Sequence, residues 1–243
     1  VMYDRATGYK ELYPQAKRDT EEYVEAFNDW CGPTEKIESL YAYHASELVS
    51  AAKQVGWRMP TSTPGIHETN GLAERIVRAV KEQTRTVLSQ SGLSSKWWPF
   101  AGKYVCHADN IKMEVQEDGQ KTSCYSRRHG HNCTAKQICF GQRVEYLPTP
   151  TSKKDKSFVP RPRVGLFIGY HFQPGGKWSG DYLVVDFEQL QMYPDSTPSD
   201  CKRHRTRTIV NYTNALMADM SADFPLGNYR ELKSATVTPA EET

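Results

Sequence analysis

The spacing of hydrophobic residues changes character once along this 243-residue chain, and that change limits the folds open to it. Up to about residue 112 apolar side chains recur at intervals of three and four, the helical repeat; from about residue 140, β-branched and aromatic runs alternate with turn residues. The clearest helix covers about 70–91, with Ile76, Val80, Val87 and Leu88 on its buried face and Gly92 as its stop. Upstream, Asp19 is placed to cap a helix that carries Tyr23, Val24, Phe27 and Trp30 on one face and ends at Gly32-Pro33. Residues 45–56, with Leu48, Ala51, Ala52 and Val55 at helical spacing, predict another. Thr7-Gly8 marks the end of a hairpin, and a short strand is expected over 37–41. Strand, helix, strand alternation predicts an α/β layer.

A further helix starts at Ser94-Ser95 and carries Trp97, Trp98, Phe100, Tyr104 and Val105, aromatics expected in a core rather than on a base-stacking platform. Residues 113–139 are polar and unpatterned, which predicts a linker with no independent core. Segments 142–147, 163–170 and 181–187 predict strands of a small all-β module, with a turn at Gln173-Pro174-Gly175-Gly176. The expected division is a first domain over 1–112, a linker over 113–139, a β module over 140–212 and a flexible tail over 213–243.

Charge is distributed unevenly. The net charge is only +2, yet residues 1–50 hold 5 Lys and Arg against 10 Asp and Glu, whereas residues 51–207 hold 24 against 14. The second stretch is a candidate polyanion-binding surface. No apolar run approaches the roughly 18 residues that span a bilayer, so a membrane partner is not expected. With no leader-like N-terminus, a nuclear or cytoplasmic location is expected. Six cysteines at irregular spacing predict reduced thiols rather than a disulfide framework. Starting without Met and apparently within a strand, the chain is expected to be a piece of a longer protein.

Ser62-Thr63-Pro64-Gly65, followed by Thr69-Asn70-Gly71-Leu72-Ala73-Glu74-Arg75, resembles the "TP…NG.AER" signature of retroviral and copia-type retrotransposon integrases. The resemblance continues into Trp97-Trp98 and resumes at Phe140-Gly141 and at Val164-Gly165-Leu166-Phe167-Ile168-Gly169-Tyr170. It implies an α/β ribonuclease-H-like core, here N-terminally truncated, followed by a small SH3-like barrel. It also implies DNA integration through two Mg²⁺ ions held by an Asp, Asp, Glu triad; hard Mg²⁺ prefers carboxylate oxygens.

In that comparison Glu74 matches the triad's Glu and is the expected metal ligand. The first Asp falls upstream of Val1, so Asp4 is not a candidate. The second Asp falls on Tyr43, or on Leu40 in a shifted register, and neither carries a carboxylate. The resemblance thus implies a polynucleotidyl transferase centre with two of three carboxylates missing, inactive as this chain and holding Mg²⁺ poorly. His67 and Glu68 replace the family's usual Pro-Gln pair, and the acid opposes phosphate approach. Cys124, His129, His131, Cys133 and Cys139 do not have zinc-finger spacing, and no zinc is predicted.

The expected partner is double-stranded DNA rather than a small-molecule substrate. Arg75, Arg78, Lys81 and Arg85 recur at steps of three, three and four and form one basic stripe. Lys153, Lys154 and Lys156, with Arg161 and Arg163, make a second cluster, and Lys202, Arg203, Arg205 and Arg207 a third of weaker claim. A missing first strand would expose a sheet edge and favour a homo-oligomer. The alternative reading is a structural or protein-interaction module that keeps the fold without DNA binding.

Overall fold

The computed structural model describes residues 1–60, 71–115, 119–148, 162–211 and 222–236 of a mixed α/β chain. It divides into two units. The first comprises Val1–Glu82, Val105–Thr134 and Phe172–Ser179, and the second Gln83–Tyr104, Ala135–His171 and Gly180–Thr243.

The first unit begins with a short antiparallel hairpin, β1 (Met2–Tyr3) and β2 (Lys10–Glu11). Asp4 organises its turn, accepting from the Ala6 amide at 2.9 Å and the Thr7 hydroxyl at 2.5 Å. Helix α1 (Thr20–Cys31) is capped as expected, with the Asp19 side chain accepting from the Glu22 amide at 2.9 Å. It packs on α2 (Ser46–Gln54), where Phe27 meets Leu48, Ala51 and Ala52. Phe27 also stacks on Trp57, with ring centroids 4.6 Å apart.

The strand expected over 37–41 is reduced to one parallel bridge between Ser39 and Arg58. The Leu40 amide donates to the Arg58 carbonyl and the Arg58 amide to the Glu38 carbonyl. Single bridges at Ser39 and, just beyond the segment, at Ala42 do not make the continuous ladder of a strand.

Residues 113–139 carry more structure than their polarity suggests. They contain a hairpin, β3 (Glu114–Val115) with β4 (Lys121–Thr122), and the short helix α5 (Cys124–His129), capped by the Ser123 hydroxyl. This segment supplies Tyr125 to a cluster with Tyr9 and Trp30. Arg128 covers that cluster, 4.7 Å from the Tyr9 ring centre and 4.1 Å from that of Trp30, while donating to the Trp30 carbonyl at 2.8 Å. The turn at 173–176 also belongs to this unit. The Tyr9 hydroxyl donates to the Gly176 carbonyl at 3.0 Å, and a Cβ at Gly176 would collide with that hydroxyl.

Two helices pass from one unit into the other: α3 (Gly71–Ser91) and α4 (Trp98–Ile111), separated by a 3₁₀ turn at Ser95–Trp97. The second unit holds a five-strand antiparallel sheet in the order β8-β7-β6-β5-β9, apart from the ends of β6 and β7 within Phe172–Ser179. Its strands are β5 (Arg143–Tyr146), β6 (Arg163–Gln173), β7 (Lys177–Asp186), β8 (Arg203–Thr206) and β9 (Ile209–Asn211). Three match the segments expected from sequence, except that Phe187 opens α6 (Phe187–Met192) instead of ending β7.

Only Arg207 and Thr208 separate β8 from β9, yet these strands pair with β7 and β5 on opposite edges, so the sheet must curl. Gly165 on β6 lies close against its sheet neighbour β7, and a Cβ there would run into Val184 Cγ1. The core beneath the sheet joins Leu88, Leu93, Trp97, Ala101, Phe140, Leu166, Ile168, Val185, Leu190 and Leu226. Trp97 is fully buried and donates from Nε1 to the Ser196 carbonyl at 2.9 Å, while its neighbour Trp98 is 44% exposed.

Within the stretch expected to be a flexible tail, Pro225–Thr236 forms helix α7, anchored by buried Leu226. Among its described side chains Leu226 is the one buried large apolar residue and Tyr229 is exposed, so hydrophobic periodicity had little to report.

Candidate nucleic-acid interface

Helix α3 sorts its side chains into two faces. Val80, Thr84, Leu88 and Ser91 are buried, at steps of four, four and three, with Ile76 and Val87 half-buried beside them. Two of the four are polar, which hydrophobic spacing could not reveal. The Ser91 hydroxyl donates to the Leu88 carbonyl at 2.9 Å and accepts from the Leu93 amide at 3.2 Å, so it closes the helix as well as filling space.

On the other face Arg75, Arg78, Lys81 and Arg85 are all exposed. Ten residues at 1.5 Å each make a row about 15 Å long. None of the four forms an ion pair with a described residue. Cations that recur along one face of a helix can approach several phosphates together, with Glu74 and Glu82 of the same helix partly offsetting them.

Glu74 lies in the first turn of α3, exposed and without a hydrogen bond or ion pair to a described residue. An acid there also complements the positive end of the helix dipole. Tyr43, in the stretch between the Ser39–Arg58 bridge and α2, is 44% exposed. It stands beside Tyr23, whose hydroxyl is pushed up by burial and by Tyr43. Leu40 is half-buried against the Phe27 cluster, and His44 is exposed. Among the described residues, Tyr43 and Leu40 provide no carboxylate, and no three His, Cys, Asp or Glu side chains are grouped to hold a metal ion.

Several expected site residues lie outside the described residues: the motif over 62–70 with His67 and Glu68, and the basic residues Lys153, Lys154, Lys156 and Arg161. Arg163 opens β6 and reaches to 4.0 Å from Asp186. Of the cysteine and histidine group, Cys124, His129, His131 and Cys133 belong to the first unit and Cys139 to the second. His129 and His131 face the Tyr125 ring at 4.3 and 5.8 Å between ring centres.

The third basic cluster is ordered by a strand. β8 alternates, with His204 and Thr206 buried and Arg203 and Arg205 exposed, and Arg207 follows exposed. Sequence reasoning missed Asp181, the buried carboxylate that Arg205 and Arg207 share. Its only sequence signal was the alternation Arg-x-Arg-x-Arg, which marks an outward face without naming what lies under it.

No family model matches the chain, and no curated protein matches it in sequence. Among the described residues no helix is long and apolar enough to cross a membrane.

Proposed function

We propose that this chain is an integrase-derived protein of a copia-type retroelement that binds double-stranded DNA through its basic surface and lacks strand-transfer activity of its own. The observation that carries the reading is the exposed Arg75, Arg78, Lys81, Arg85 row on the helix that begins in the Asn70-Gly71-Leu72-Ala73-Glu74-Arg75 motif. The curl of the five-strand sheet, with consecutive strands on its opposite edges, supports the SH3-like part of the resemblance. The short hairpin, the Ser39–Arg58 bridge and helices α1 to α4 are read as what remains of a ribonuclease-H-like layer. Glu74 is the surviving carboxylate of the centre and Tyr43 occupies the place of a lost one. With one acid of three, Mg²⁺ would be held poorly, and attack on a phosphodiester would lack the Lewis acid that activates the nucleophile and stabilises the leaving oxygen.

The test is duplex binding measured by fluorescence anisotropy across a salt series, beside a Mg²⁺-dependent joining assay on the same protein. Binding is expected to weaken as salt rises, with a log–log slope of about −0.9 per phosphate contacted. Replacing Arg75, Arg78, Lys81 and Arg85 by Ala should flatten that slope by up to about 4. No binding at low salt would overturn the reading in favour of a structural or interaction module, and joining of strands by this chain alone would overturn the loss of activity.

A further inference from the structure

Within the second unit, the sheet buries a carboxylate and uses it to hold two arginines that point to solvent. Asp181, on β7, has a side chain only 6% exposed. Arg205 Nε donates to its Oδ2 at 2.5 Å, and Nη2 of the same guanidinium contacts that oxygen too. Arg207 Nε donates to Oδ1 at 3.1 Å. Burial by itself would raise the Asp181 carboxyl, but the two guanidiniums outweigh it and hold the group below the usual carboxylate range. Arg205 Nη1 lies 3.3 Å from Nε2 of His171, an imidazole kept neutral-leaning by burial and by that same arginine. Arg203, next along the row, has its guanidinium 5.4 Å from the centre of the Phe100 ring.

The two arginine side chains nevertheless remain 52% and 80% exposed. Ion pairs with partners so exposed contribute little stability, while burying a carboxylate carries a substantial desolvation cost. Stability is therefore a poor account of the arrangement. What it does achieve is to fix two long side chains before any ligand arrives, which removes part of the ordering cost of binding. The ligand must be anionic and extended. Arg203 and Arg205 lie about 6.8 Å apart along β8 and Arg205 and Arg207 converge on one carboxylate, while a duplex strand presents a phosphate about every 3.4 Å of axis.

We propose that Asp181 is a positioning residue that presents Arg205 and Arg207 to backbone phosphates of a nucleic acid. This inference rests on the nucleic-acid reading above and adds a surface in the second unit that depends on a buried acid. Simple electrostatics and positioning predict opposite signs for Asp181→Asn. The substitution removes a negative charge, so an unstructured basic surface would bind duplex DNA more tightly. Loss of positioning weakens binding instead.

The experiment is duplex anisotropy across salt with the full chain, with thermal denaturation as a check on folding. Asp181→Asn is expected to bind several-fold more weakly with the salt slope flattened by about one to two phosphate contacts. Equal or tighter binding with an unchanged slope, while the wild-type chain binds, would overturn the inference and leave the broader reading standing. If Asp181→Asn fails to fold, the double variant Arg205→Lys with Arg207→Lys decides. It keeps both charges but loses the planar fork, so the expected result is the same weakening, and unchanged binding overturns the inference. Failure of the wild-type chain to bind at low salt would overturn both.

Discussion

In the first unit the core is closed by Tyr9, Trp30, Tyr125 and Arg128, with His107 and His129 against the same aromatic rings. In the second it is closed by Leu88, Trp97, Leu166, Ile168, Val185 and Leu190 beneath a sheet. The first has two-residue strands and short helices, and beside its apolar cluster of Phe27, Leu48, Ala51 and Ala52 it fastens segments through the Arg128 guanidinium. Arg128 alone ties α5 to the Trp30 carbonyl, to Glu35 at 2.5 Å and to two ring faces. Cation–π contacts removed from water are worth about 2 kcal/mol. The second has polar links of its own, such as His204 with Asp186, and adds to them a sheet ladder and a larger apolar cluster, buried at roughly 25 cal/mol per Å² of apolar surface. The histidines buried against the first unit's rings should make it respond to pH, and the larger apolar cluster of the second should respond to lost volume.

The largest expected effect is on the apolar side of that contrast. Trp97→Ala should cost about 3–5 kcal/mol, because a fully buried indole leaves a cavity and an unmatched Ser196 carbonyl. Denaturant unfolding reads it directly, and a loss below about 1 kcal/mol would show that the second core can collapse around the gap. Phe27→Ala, in the apolar cluster of the first unit, removes a ring packed against Leu48 and Trp57 and belongs in the same range.

Acid should act next, and on the first unit. Burial, then the nearby His129 charge, lower the His107 pKa to about 3. Burial, then Arg128, His131 and Lys177, lower that of His129 to about 4. Imidazoles depressed below their unfolded value near 6.5 bind more protons unfolded than folded as pH drops. Their contribution is complete above about pH 6.5 and is lost as pH falls toward 4 and then 3. Urea midpoints at pH 7 and pH 4.5 should therefore differ, and His107→Leu should narrow the difference. An equal pH dependence in that variant would assign the acid response elsewhere.

The smallest effect tests a local element common to chains of either kind. Asp19→Ala removes the acceptor for the Glu22 amide at the start of α1 and should cost about 1 kcal/mol. A change near zero, measured by the same unfolding curves, would mean that packing of Phe27 and Trp30 holds the first turn without its cap.

Legibility followed the range of the interactions. Asp19 with Gly32, the Leu48, Ala51, Ala52 spacing and the alternation of Val144 and Tyr146 each encode an element within a few residues, and α1, α2 and β5 appear where the pattern puts them. The α3 stripe was legible for the same reason, since helical repeat alone places Arg75, Arg78, Lys81 and Arg85 on one side. The segment 37–41 misled because strand-like residues say nothing about whether a neighbouring strand exists. Trp97 and Trp98, equal in sequence terms, part company because only one faces the sheet-bearing core.

By itself, then, the sequence determined the local elements, the turn positions and the basic face of α3, all set by backbone preferences and side-chain repeat. The tertiary structure decided the rest. It drew Arg128 to Trp30 across 98 residues, gave α7 its anchor at Leu226, and put Asp181 beneath Arg205 and Arg207. Such partners meet only after the chain has folded, when burial makes an unpaired charge or a loose aromatic ring costly, and no local pattern records which distant residue will answer that cost.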